Sequence, residues 1–163
     1  MVDIADAMGV SRQTIYRLFE TRTLLLEYIA TARVEVLTRK VVQYLSGYRS
    51  LAEALVDGLV YAIRLGREDE LLREIIKQDG DAHFKTFLFG GTPEVQAFMR
   101  EVWRPFIASA RERGELPSAA NDDQIIEWFC NVGAVLNLRE DYAESDHRRI
   151  LKQFVLPLFV SKP

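Results

Sequence analysis

The residues best suited to chemistry form a short polar run just after Gly9. Between positions 11 and 22 three arginines oppose one acid, Glu20, so this stretch is locally positive in a chain of net charge −3. Arginine and glutamine side chains contact guanine and adenine edges with paired hydrogen bonds, and hydroxyl groups suit phosphate oxygens. Such a set predicts contact with the major groove of DNA if a helix presents it on one face. Its members are Arg12, Gln13, Thr14, Tyr16, Arg17 and Arg22.

Two short helices around a glycine turn would present this set. The first helix ends at Gly9, and Ser11 can cap the second. At 100° per residue, the second helix has its polar and apolar side chains on opposite faces. The apolar side chains are Ile4, Ala5 and Met8 on the first helix, and Ile15, Leu18 and Phe19 on the second. The spacing indicates a helix-turn-helix unit, and an ordinary helical hairpin with a polar outer face is the alternative.

The run IADAMGVSRQTIYRLFETRTLLLEYI resembles the helix-turn-helix motif of TetR-family transcriptional regulators. The resemblance covers about 26 residues, which include the GVS turn, the T–I–Y triplet and the following phenylalanine. It implies that Arg12, Gln13 and Arg17 face bases. It also implies that Thr14, Tyr16 and Arg22 contact phosphates.

Three departures from the family pattern bear on that comparison. Leu18 stands where the family has histidine or tyrosine, which removes a polar group, and Arg22 replaces lysine with its charge kept. The family also places a further helix with a basic arm before the motif, whereas this sequence begins inside the motif. Since a two-helix reader without that support would expose apolar side chains, we expect the supporting residues to precede Met1.

The remainder of the chain has the periodicity of helices. Apolar residues recur at helical spacing from position 24 to 45 and again from 51. Cap signals predict further helix starts at Ser50, Thr92, Asn121 and Ser145. No segment alternates like a strand, so the sequence predicts an all-α, TetR-like fold. Residues 1–45 would hold the helix-turn-helix and, from about 23, a connecting helix, and 46–163 a helical ligand-binding and dimerisation domain.

The resemblance also implies an effector pocket among the middle helices and a twofold dimer. A palindromic operator would match such a dimer. For the pocket we expect an apolar or aromatic effector, with plain core packing as the alternative for each aromatic residue; the candidates are Tyr61, Phe84, Phe87, Phe98, Trp103, Phe106 and Trp128. Broad apolar stripes on the last two helices predict the interface, unless both stripes are buried in their own core; the candidates are Ile126, Phe129, Gly133, Leu151, Phe154, Val155 and Leu158.

Other classes of site and location find little support. Cys130 is the one cysteine and is expected to be inert core, and His147 and the acidic run at 68–70 are expected to be solvated. No metal-binding, nucleotide-binding or catalytic motif is present, so we expect no enzyme activity, metal or cofactor. No apolar run approaches the 18 residues of a membrane helix, and Asp3 and Asp6 stand where a leader would be basic. We therefore expect a cytoplasmic protein with no membrane partner.

These observations together predict a transcriptional regulator, of which a repressor is the expected form. It would bind double-stranded operator DNA as a homodimer and respond to a small, mostly apolar effector. The alternative is a helical dimerisation or small-molecule-binding module that does not bind DNA in this form.

Overall fold

The computed structural model describes Gly9, residues 11–79, Phe87, Phe89, and residues 92–116 and 120–159. All regular structure in these ranges is helical, as the periodicity predicts. The first two helices are α1 (Arg12–Leu18) and α2 (Arg22–Leu45), and the middle three are α3 (Leu51–Glu68), α4 (Glu70–Asp79) and α5 (Pro93–Glu112). The last part holds α6 (Asp122–Leu138), α7 (Glu144–Ile150), a π-helical turn (Leu151–Val155) and α8 (Leu156–Phe159).

The helices begin where local chemistry favours a start. The Ser50 side chain accepts the Glu53 N–H, and the Thr92 side chain accepts the Val95 N–H with Pro93 at the first helical position. Asn121 and Gln124 form a reciprocal capping box at the start of α6, as the sequence predicts. The last helix begins one residue earlier than predicted, at Glu144, because Asp146 accepts the Ala143 N–H.

Helix α3 lies at the centre of the main core. It packs against α2, α4, α5, α6 and α7, and Gly58 lies where α2 and α5 both meet it. A Cβ atom at Gly58 would lie 3.0 Å from Leu45 of α2 and 3.0 Å from the Trp103 ring of α5. The absent side chain therefore sets how closely these three helices approach.

Helix α2 joins two separate apolar clusters. Near its start, Leu25 packs with Ile15 of α1, and Phe19 and Ile29 flank this pair. Further along, its buried face from Leu26 to Leu45 belongs to the main core. With 24 residues the helix is about 36 Å long, so one continuous element runs from α1 to the far side of the core.

An ion pair fastens α2 to the junction of α3 and α4. Both Nε and Nη2 of Arg33 lie close to Oδ2 of Asp69, at 2.7 and 2.6 Å. The other oxygen of Asp69 accepts the Leu72 N–H at 3.0 Å and so caps α4. The expectation of a solvated acidic run is thus wrong for Asp69, which is buried between its partners.

The expectation of a solvated His147 is also wrong. Its side chain is 1% exposed, because this position of α7 faces inward although its neighbours are polar. Above it the guanidinium of Arg67 donates to the carbonyls of Leu136, Asn137, Arg139 and Tyr142, at 3.0 to 3.4 Å. Arg67 thereby satisfies the C-terminal end of α6 and holds the loop that leads to α7.

Candidate functional site

Helix α1 presents three residues of the polar set on one side and an apolar anchor on the other. Gln13, Tyr16 and Arg17 are exposed, whereas Ile15 is 1% exposed against Leu25. The helix starts at Ser11, whose side chain accepts the Thr14 N–H at 3.1 Å. The faces therefore match the sequence prediction at these positions.

The other predicted DNA-contact residues have different surroundings. The Thr14 hydroxyl lies 2.9 Å from that of Ser11, so it already takes part in the start of α1. Arg22 is exposed at the first position of α2, shortly after the end of α1 at Leu18. The side chain of Arg12 lies outside the described residues, as do Ile4, Ala5 and Met8 of the predicted first helix.

The prediction that Leu18 shares the buried face of α1 is wrong. Leu18 is 64% exposed. The helix ends at this residue because Phe19 has extended backbone, with φ −132° and ψ 108°, while its N–H closes the helix on the Ile15 carbonyl. Phe19 turns back instead, and its ring lies 5.4 Å from that of Tyr28. The inward apolar contact at this end is therefore made by Phe19, the residue after the helix, and not by Leu18.

An internal cavity of about 30 Å³ lies between α2, α3 and α5. The described residues of its wall have apolar side chains, with the hydroxyl of Thr38 and the indole N–H of Trp103 as the polar groups among them. The lining residues are Val34, Leu37, Thr38, Val41, Leu59, Ala62, Leu65, Phe89, Met99, Val102 and Trp103. Trp103 is 2% exposed, and its Nε1 has no hydrogen-bond partner among the described residues.

Of the predicted effector residues that the structure describes, Trp103 alone lines this cavity. Tyr61 instead stacks on Tyr44 with ring centroids 4.3 Å apart, and Trp128 is exposed on the outer side of α6. Phe87 is buried in the main core, Phe98 packs at its edge, Phe106 lines a separate groove between α2 and α5, and Phe84 lies outside the described residues.

Sequence reasoning missed Phe89 and Thr38 as lining residues. The helical spacing of Val34, Thr38 and Val41 marks one inward face of α2, and this signal could have found Thr38. No helical periodicity in the sequence around position 89 marks Phe89 as a lining residue.

Two of the seven predicted interface residues are on the surface. Phe154 is 65% and Leu158 57% exposed, on one side of the last helical segment. The remaining five are in the core of their own chain; these are Ile126, Phe129, Gly133, Leu151 and Val155. Exposed apolar side chains elsewhere on α6 are Trp128, Val135 and Leu138.

The buried thiol of Cys130 is poorly suited to nucleophilic chemistry. Burial raises its pKa to about 12, so the thiolate is scarce at neutral pH. Among the described residues, no three side chains of His, Cys, Asp or Glu are grouped as metal ligands would be. Among the described helices, none combines the length and the apolar character that crossing a bilayer requires.

Comparison with family models, curated proteins and solved structures gave no match to this chain.

Proposed function

We propose that this protein is a DNA-binding regulator of the TetR type, whose dimer binds a palindromic operator and releases it when a small, mostly apolar molecule binds. The observation that carries the proposal is the two-sided character of α1. Ile15 anchors the helix on α2, while Gln13, Tyr16 and Arg17 are exposed together on the opposite side. Their side chains have the chemistry that reads base edges and holds phosphates.

The length and packing of α2 support a mechanism for regulation. The helix carries α1 at one end and lines the internal cavity with Val34, Thr38 and Val41 further along. A ligand in that cavity cannot touch DNA, so it acts by favouring one tilt of α2 over another. Because half-sites on DNA lie about 34–36 Å apart, or a multiple of this, a small tilt changes the fit of a dimer.

A homodimer is proposed through the exposed residues of α6 and the last helical segment. Trp128, Val135, Phe154 and Leu158 leave apolar area at the surface, and exposed apolar area is typical of interaction sites where it forms a patch. A second copy would cover these residues, and the two α1 helices would then read the two halves of a palindrome.

A selection of bound duplexes from a random DNA library tests the proposal, with the full chain as bait. We expect an enriched palindrome. Arg17→Ala should weaken binding to it by about 1–3 kcal/mol and relax base choice at one position. Arg39→Ala is the matched control, because Arg39 is an exposed arginine of α2 that pairs with Glu35 and lies about 25 Å along the helix from Arg22. Equal losses for both variants, or no enriched sequence, would refute DNA reading by α1.

A second candidate function is a ligand-binding dimer that does not bind DNA in this form. The observation that favours it is apolar area next to α1, where Leu18 and Tyr28 are 64% and 65% exposed. DNA contact does not need such area, whereas protein contact does. The same selection separates the two functions, since a dimer that binds small molecules but enriches no duplex supports the second.

A further inference from the structure

One residue in the wall of the internal cavity, Trp103, carries a buried polar atom without a hydrogen-bond partner among the described residues. Of the described residues, ten with apolar or aromatic side chains and Thr38 line the cavity, and none of these carries a charge. Within this wall the indole of Trp103 is 2% exposed, and its Nε1–H donates to no described atom. Buried N–H groups in native proteins are ordinarily paired, so an acceptor on a molecule bound beside Trp103 would satisfy this group.

The Phe89 ring lies in the walls of both this cavity and a neighbouring cleft. That cleft, of about 340 Å³, lies along α5 and α6 and includes Arg100, Asp123 and Glu127 in its wall. Phe89 lines both spaces. Its ring rests on Gly133, where a Cβ atom would lie 2.5 Å from the ring's Cδ1, so the ring occupies a notch that only glycine leaves open.

The volumes show what must move for a ligand to enter. A cavity of 30 Å³ has room for one or two water molecules. A dry apolar cavity of about 150 Å³ accommodates benzene, and the ring of Phe89 is itself benzene-sized. Displacing that ring would also join the cavity to the 340 Å³ cleft, which brings the combined space into the range of small-molecule sites, about 300–1,000 Å³.

We propose that Phe89 is a movable plug and that the site takes an uncharged, mainly apolar molecule at least one ring in size, with one oxygen acceptor for the Trp103 N–H. A charged ligand is disfavoured because the described part of the inner wall offers no counter-charge for a desolvated ion. The inference rests on the proposed function only in making this molecule the effector. Binding itself is measured without DNA.

Three probes with the same number of heavy atoms test the ligand chemistry. Acetophenone carries a carbonyl acceptor, isopropylbenzene has the same shape without an acceptor, and benzoate is charged. We expect acetophenone to move the Trp103 indole N–H resonance of the ¹⁵N-labelled full chain and to leave that of Trp128 in place. Benzoate should move neither.

Trp103→Phe isolates the hydrogen bond from the apolar contact. The variant keeps an aromatic ring but has no N–H, so the affinity ratio of acetophenone to isopropylbenzene should fall about 2- to 12-fold relative to the unmodified chain. An unchanged ratio would overturn the proposed contact. A long-lived water cross-peak to the Trp103 N–H that persists with acetophenone would also overturn it.

Variants at Phe89 test the plug. Phe89→Ala should raise the association rate of both neutral probes, and Phe89→Leu should do so to a smaller extent, with folding of each checked by circular dichroism and urea melts. Unchanged rates in both folded variants would show that Phe89 is no plug. Equal shifts at Trp103 and Trp128, or no shift at Trp103 even in Phe89→Ala, would overturn the site. If the probes bind but the selection from a random DNA library enriches no duplex, the ligand site is supported and only the proposed regulatory function is refuted.

Discussion

Asp69 is the residue whose replacement should show best how the connecting helix is held. Its carboxylate makes two kinds of contact at once, the ion pair with Arg33 of α2 and the cap of α4 at Leu72. Asp69→Ala removes both contacts. Asp69→Asn removes the charge and keeps a side chain that caps helices about as well as aspartate.

The expected cost follows from burial on each side of the pair. Loss of an N-cap costs about 1 kcal/mol. The Arg33 side chain is 34% exposed, so it can turn to water when it loses its partner. The contribution of the ion pair to stability is therefore closer to the roughly 1 kcal/mol of an exposed pair than to the larger contribution that is lost when a fully buried pair is broken. We therefore expect Asp69→Ala to lower the free energy of unfolding by about 2 kcal/mol and Asp69→Asn by about 1 kcal/mol.

The pH dependence gives the prediction a second arm. Burial alone would raise the pKa of Asp69, but hydrogen bonds from Arg33 and the Leu72 N–H outweigh it and leave the pKa below its ordinary value. The native state therefore holds this proton less tightly than the unfolded chain, and the stabilisation is complete above about pH 4 and lost as pH falls through the folded pKa. The difference between the unmodified chain and Asp69→Asn should shrink accordingly in acid.

Urea melts followed by circular dichroism, at fixed protein concentration, measure these differences. In a thermal melt, a loss of about 2 kcal/mol in the free energy of unfolding should lower the melting temperature of a chain this size by about 4–8 °C. Asp141→Asn is the matched control, because Asp141 also pairs with an arginine, Arg139, but is 64% exposed. A loss at Asp69 no larger than that of the control would refute the reasoning, and equal losses for Asp69→Ala and Asp69→Asn would show that the cap contributes nothing.

Three further changes have expected outcomes. Phe154→Glu should convert the proposed dimer to monomer in sedimentation, and a stable monomer of the unmodified chain would contradict the interface. Gly58→Ala should cost about 1–3 kcal/mol in urea melts, because the new Cβ meets Leu45 at 3.0 Å, whereas Gly47→Ala, with open space around it, should cost under about 0.5 kcal/mol. Burial and a nearby guanidinium lower the pKa of His147, so stability should fall as pH drops from 7 to 5, and His147→Leu should flatten that slope.

Local chemistry predicted where helices begin. Thr92 with Pro93, and Asn121 with Gln124, each form a start within four residues, so the sequence contains all the atoms involved. The helical content and the two faces of α1 were predictable for the same reason, since period and side-chain type determine them.

Contacts between distant residues were beyond such reasoning. Asp69 meets Arg33 across 36 positions, and its polar neighbours made it look solvated. Phe89 meets Gly133 of another helix, and nothing near either residue indicates the other. The interface candidates show the same difficulty, because an amphipathic stripe identifies a buried face without saying whether its own chain or a second copy buries it.

The end of α1 shows a subtler limit. Periodicity places Leu18 beside Ile15, but Phe19 leaves the helix and takes over the inward contact. A helix of seven residues is too short for its period to fix its last turn, because the closing residue decides it.

The π-helical turn before α8 has a consequence for how firmly the chain's last described residues are held. Its Leu156 N–H reaches back five residues to the Leu151 carbonyl, and Pro157 then offers no N–H to the helix. Backbone hydrogen bonding along the helix is therefore weakest between Phe154 and Leu158. Residues 156–159 can consequently unfold locally while the rest of the chain stays folded. If a second copy covers Phe154 and Leu158, dimer formation and the local order of this segment are linked. Amide-exchange protection of residues 156–159 should then rise with protein concentration, while that of α3 stays constant.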